Sequence, residues 1–140
     1  MAYGESSLLG TGVEVTCGGL EQADAFEIDG ESHPAPDGQT WALVDFRAEN
    51  ASDSSQTLPW RQALWVRTAE GRVQHDVNHA PDEFLFWDGG YEGGDEVDPG
   101  VVEEGIVPIP VDAGAAETLR AVIYKPILVN ARTEVWWTEG

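Results

Sequence analysis

Apolar and polar residues alternate with a period of two along much of this chain. Between Trp41 and Glu49, Ala42, Val44, Phe46 and Ala48 share one side, and Asp45, Arg47 and Glu49 share the other. That is the pattern of a strand with one face buried and one face wet. Thr11 to Cys17 repeats it with Val13 and Val15, and Ala63 to Thr68 puts Trp65 and Val66 on opposite faces. Shorter strands are predicted at Phe26 and Ile28, and at Val73 to His75 across the turn Glu70-Gly71-Arg72. Others follow at Val107, Ile109 and Val111, at Leu119, Ala121 and Ile123, at Ile127 to Val129, and at Glu134 to Thr138. Pro108 and Pro110 interrupt the Val107, Ile109 and Val111 group, and proline is tolerated at a sheet edge or a bulge. The strand around Val107 to Val111 is therefore expected at an edge, or bulged.

The segments between strands carry turn chemistry. Gly30 to Gly38, with Pro34 and Pro36, reads as a loop, and Asn50 to Ser55 as a polar turn. Glu83 to Trp87 holds three aromatics and reads as a short strand or an aromatic plug. Asp88 to Asp98 is a glycine-rich acidic loop, and Pro99-Gly100 is a turn. Only Asp112 to Leu119 offers even a short turn of helix. Residues 1–10 are expected to be a flexible lead-in, and 11–140 one domain. Seven to nine short strands separated by turns predict an all-β, antiparallel two-sheet sandwich.

Charge adds a second picture. The 140 residues hold 26 acids against 7 Lys and Arg, a net charge of −19, and Lys125 is the only lysine. Such a chain repels itself in dilute buffer. In about 1 M salt the Debye length falls to roughly 3 Å and the repulsion largely vanishes. The acids are scattered rather than gathered in a tail, a composition that resembles proteins of salt-loving archaea. Seven dispersed cations cannot easily build the basic face that a nucleic-acid backbone requires, so no nucleic-acid partner is expected. No apolar run is long enough to span a membrane. The first ten residues lack the charged-then-apolar order of a leader, which leaves a cytoplasmic protein or one whose leader was removed. Cys17 is the sole cysteine, so no intrachain disulfide is available and a buried, inert thiol is expected.

Three stretches carry a likeness to a known family. Leu43-Val44-Asp45-Phe46-Arg47-Ala48-Glu49-Asn50-Ala51-Ser52-Asp53, the hairpin ending at Thr68-Ala69-Glu70-Gly71-Arg72, and Asp98-Pro99-Gly100 through Val111 together resemble the DUF4352 family. The likeness spans Trp41 to Tyr124. It implies an immunoglobulin-like sandwich of the kind found in secreted proteins and lipoproteins, hence an extracellular or cell-surface location. The family has no agreed catalytic residues to carry over.

Four groups of residues are candidates for chemistry. His75 and His79 flank a short segment that reads as a loop; surface histidines or a transition-metal pair are the two readings. Asp88, Glu92, Asp95, Glu96 and Asp98 share one glycine-rich loop. Their oxygens suit a hard cation such as calcium, although the spacing is not that of an EF-hand. Trp136 and Trp137 are adjacent on one expected strand, so they point to opposite faces. One of them is then exposed or capped, and an exposed aromatic marks a protein or glycan contact. Asn50-Ala51-Ser52 matches the N-glycosylation pattern. No nucleophile elbow is present, and nothing singles out two acids as a catalytic pair. The sequence thus points to a non-catalytic cell-surface or secreted module that contacts protein or surface glycan, with no cofactor. The rival is a small-ligand or metal-binding domain using the acidic loop and the two histidines.

Overall fold

The computed structural model describes residues 1–75, 87–125 and 134–139. The aromatic segment Glu83 to Phe86, the expected strand Ile127 to Val129 and His79 lie outside the described residues. Twelve strands are described. They are β1 Ser6–Leu8, β2 Val13–Ala23, β3 Ala25–Ile28, β4 Glu31–Pro34, β5 Gln39–Asn50, β6 Gln56–Thr57, β7 Leu64–Thr68, β8 Gly71–Gln74, β9 Glu96–Val97, β10 Val102–Asp112, β11 Ala121–Tyr124 and β12 Val135–Thr138. The described helical residues are a 3₁₀ turn at Arg61–Ala63 and one short helix, α1, at Ala113–Ala116.

Two four-stranded antiparallel sheets form the sandwich, in the orders β1-β2-β5-β10 and β12-β11-β7-β8. β5 is the hub of the first sheet, paired along its length with β2 on one side and β10 on the other. The alternation seen in the sequence explains why. Ala42, Val44, Phe46 and Ala48 all turn inward, with Val13, Val15 and Cys17 of β2 and Val107, Ile109 and Val111 of β10 beside them. Leu64, Val66, Val122, Tyr124, Val135 and Trp137 come from the second sheet and complete the core. Burying each large apolar side chain stabilises the fold by roughly 1.5–3 kcal/mol. Leu119, placed in a strand by the sequence, precedes β11 and is only partly buried against this core.

Several expectations are corrected. β2 runs on past Cys17 to Ala23, because a bulge between Cys17 and Gly19 absorbs one residue. Before the bulge the odd-numbered positions face inward; after it Leu20 does. A bulge resets the phase of a strand in this way. The short strand expected at Phe26 and Ile28 is present as β3, but the expected loop Gly30 to Gly38 holds a strand as well: β4 pairs with β3 around Asp29-Gly30, both with positive φ (51° and 84°). Positive φ at both central residues defines the turn that matches strand twist. This hairpin lies over the outer side of the first sheet, where Ile28 and Trp41 form a second small core with Phe26, Ala35, Leu43 and Trp87. The first ten residues, expected as a flexible lead-in, hold β1, paired to β2 at Ser6–Leu8. Ala2 forms a parallel bridge to Thr138 of the other sheet, so this segment crosses from one sheet to the other. The Trp137 indole N–H, donated to the Glu5 carbonyl at 2.9 Å, pins the crossing.

β10 is the edge strand that its prolines predict. Pro108 and Pro110 are two residues apart, so both missing N–H groups fall on the same side of the strand. The Pro108 carbonyl points away from β5, to the His75 ring. Both prolines therefore sit with their outward side away from the ladder and interrupt none of it.

Candidate functional site

The acidic loop is anchored by what lies between its acids. Tyr91 is buried, stacks edge-on against Phe46 at 4.8 Å, and donates its hydroxyl to the Pro59 carbonyl at 2.7 Å. Gly90 bridges to Ile106 of β10. A Cβ on Gly105 would lie 2.4 Å from the backbone of Gly90 and Tyr91, so the close approach requires glycine there. The carboxylate of Glu103, missed by sequence reasoning, accepts the N–H groups of Glu92 and Gly93 at 3.0 and 2.8 Å. Asp88, Glu92, Asp95, Glu96 and Asp98 remain exposed around this anchor. Asp98 accepts from Ser55 Oγ at 3.4 Å. Among the described residues no three His, Cys, Asp or Glu side chains come together as a metal site would need.

His75 is not on the surface. It is 2% exposed, at the end of β8, and its Nδ1–H donates to the Pro108 carbonyl at 2.9 Å. It ties the edge strand of one sheet to the edge strand of the other. A ring held by a carbonyl on Nδ1 and buried between sheet edges is a structural joint.

Asn50, read as a glycosylation acceptor, is fully buried (0% exposed). Its amide donates to the carbonyls of Ser54 and Val97 at 2.9 and 3.0 Å. Its oxygen accepts from Ser52 N and Ser52 Oγ at 3.1 and 2.6 Å. All of this amide's ordinary hydrogen-bonding capacity is used inside the protein, and the folded chain presents no Asn50 side chain to solvent.

The tryptophan pair separates as the sequence requires. Trp137 is 0% exposed and packs in the core against Phe46. Trp136 faces out, onto a surface that antiparallel register builds in two rows. One row is Trp136, Ile123, Trp65 and Gln74; the other is Thr138, Ala121, Arg67 and Arg72. The guanidinium carbons of Arg67 and Arg72 lie 5.8 and 5.1 Å from the Trp136 ring centre. Ile123, although on this outer face, is 0% exposed. The Trp136 ring and the two guanidinium groups thus converge on this outer face. Arg72 also pairs with Glu134 at 2.6 Å. Neither row contains an acid, in a chain of net charge −19. Sequence reasoning found Trp136 but not its companions. The hairpin turn Ala69-Glu70 would have matched Arg67 with Arg72, since both lie two residues from it; nothing local connects either to Trp136.

Burial moves a few titrating groups. It pushes Tyr3 and the Cys17 thiol each up to about 12, and raises Tyr91 and Tyr124 as well. Arg61 is lowered by burial, against the opposing pull of Glu92 and Glu103. Tyr3 also lines an open cleft of about 530 Å³ with Leu20, Glu21, Gln22, Leu119, Arg120 and Glu139. No helix among the described residues is long and apolar enough to cross a membrane.

No protein-family model and no curated protein matches the chain. Solved structures do. A conserved hypothetical protein from Bacillus anthracis is similar at a TM-score of 0.68 and 14% identity, covering 99% of this chain and 92% of that one. The yjhA protein of Bacillus subtilis is similar at 0.61 and 13%, covering 99% of each chain. An uncharacterized β-sandwich protein of Clostridium difficile 630 is similar at 0.51 and 10%, covering 99% of this chain and 92% of that one. At these identities the likeness is one of fold, and the fold is the antiparallel β-sandwich.

Proposed function

We propose that this chain is a non-catalytic recognition module that contacts another molecule through the outer face of β12-β11-β7-β8. The observation that carries this reading is the Trp136–Arg67–Arg72 arrangement. Tryptophan and arginine are the residue types enriched where binding energy concentrates, and here they share two residue rows without an acid on a strongly acidic protein, with Glu134 beside them paired to Arg72. The DUF4352-like stretches now fall on β5, the β7–β8 hairpin and β10, in keeping with membership of that group and with a secreted or cell-surface location. The net charge of −19 supports a high-salt setting for the module. No Asp or Glu among the described residues is buried, and the described ion pairs are Arg47–Glu49 and Arg72–Glu134. Most of the acids are thus spread over the solvated surface. The test is a combined peptide and glycan array in 2 M KCl, probed with the wild-type chain and with Trp136→Ala. Spots bound by the wild type and lost by the variant support the reading; an array on which the two proteins are indistinguishable overturns it.

A further inference from the structure

Resting on that reading, we infer that the partner is a short acidic polypeptide segment, bound over the Arg67–Arg72 row. Charge selects its sign. Arg67 makes no ion pair among the described residues and is exposed on the surface. Arg72 has its carboxylate in Glu134. One guanidinium is thus already matched by a carboxylate on this face, and the one directly across the ladder is available for a second.

The placement of Trp136 selects against a neutral sugar. Both guanidinium groups lie within 6 Å of its ring centre. Cation–π contact of this kind holds the arginines over the indole, so the indole is committed to them rather than open as a stacking platform. The face thereby offers N–H groups in the planar fork that fits a carboxylate.

Size selects a segment over a folded partner. Four strands about 4.8 Å apart and four residues at about 3.3 Å each give a patch of roughly 200 Å². A stable interface between folded proteins needs about 800 Å² from each partner. A second copy docked face to face would bring four of these arginines together and add the mutual repulsion of two chains of −19. A few residues of extended chain fit the patch instead.

The experiment is a fluorescence-anisotropy titration of the whole chain against labelled hexaglutamate, with hexaglutamine and labelled tri-galacturonate as the other arms. It is run in 2 M KCl, where the long-range repulsion between acidic protein and acidic probe is screened. Hexaglutamate is expected to bind and hexaglutamine not to. Arg67→Ala should weaken binding about tenfold, Arg67→Lys should restore only part of the loss, and Arg47→Ala, on the other sheet, should change nothing. Circular dichroism of each variant checks that the sandwich is intact. Tri-galacturonate binding as tightly as hexaglutamate would overturn the polypeptide assignment and leave the recognition reading standing. Failure of hexaglutamate to bind, or binding indifferent to Arg67, overturns the inference, while the array result separately decides the recognition reading.

Discussion

Replacing Asn50 by alanine should unfold the end of the sandwich where β5, the 50–55 turn and β9 meet. Four hydrogen bonds disappear: two donated to Ser54 and Val97, and two accepted from Ser52. Each is worth about 0.5–1.5 kcal/mol net, and a buried carbonyl left without its donor adds a penalty of its own. Ser54 keeps one donor, the Ser52 hydroxyl at 2.8 Å, which limits the loss. The backbone bonds of Asn50 to Val101 and Gly100 also survive. A destabilisation of roughly 2–4 kcal/mol follows. Urea denaturation is the assay, because urea leaves the ionic strength fixed. With a slope near 2 kcal/mol/M the midpoint should fall by about 1–2 M. Asn50→Asp provides the control for charge. It keeps the acceptor but turns a second oxygen towards two carbonyls, and burial raises its folded pKa above the unfolded value. Its stability is then retained below the unfolded pKa and lost as pH rises through the folded one. Asn50→Asp should approach wild type in acid and fall below Asn50→Ala near neutrality. A midpoint for Asn50→Ala within 0.2 M of wild type would refute the reasoning, and with it the claim that this residue is a joint rather than an acceptor.

The melting temperature should climb steadily from 0.1 to 3 M KCl, beyond the range in which simple screening saturates; a flat or falling series, read by differential scanning calorimetry, counts against salt adaptation. Stability should fall above about pH 10 in urea titrations. Tyr3, Tyr91 and Tyr124 titrate higher in the folded state than their unfolded value near 10, so the unfolded chain is favoured once pH passes it. Tyr91→Phe should soften that decline and remove about 1 kcal/mol at neutral pH by orphaning the Pro59 carbonyl. Gly105→Ala drives a methyl into backbone at 2.4 Å and should destabilise by about 2–3 kcal/mol. Gly114→Ala, open on all sides within α1, should be neutral or stabilise by about 0.5–1 kcal/mol, and equal effects at the two glycines in thermal melts would contradict the packing described. The Cys17 thiol should resist a disulfide reagent at pH 8 in the native protein and react fully in urea.

Sandwich architecture was legible in the sequence because strand alternation is local. A residue's face is fixed by its position parity, so Ala42, Val44, Phe46 and Ala48 announce their shared burial without reference to any partner. Pro108 and Pro110 likewise declare an edge, since a missing N–H is a property of the residue itself. Parity also guaranteed that Trp136 and Trp137 would separate. Which of them entered the core was decided by the pairing of β12 with β11, a contact between strands whose connection the sequence does not constrain. The bulge at Gly18 resets the parity of β2 and so hid half of that strand. Asn50 looked like a turn residue because its partners Ser54 and Val97 are brought to it by separate segments, the second of them 47 residues away. The Arg67–Arg72–Trp136 patch is the extreme case. Its hairpin half is nearly local, but the tryptophan arrives from the far edge strand of the same sheet. Only register across four strands, set by the packing of the opposite face, brings two cations and an indole together there.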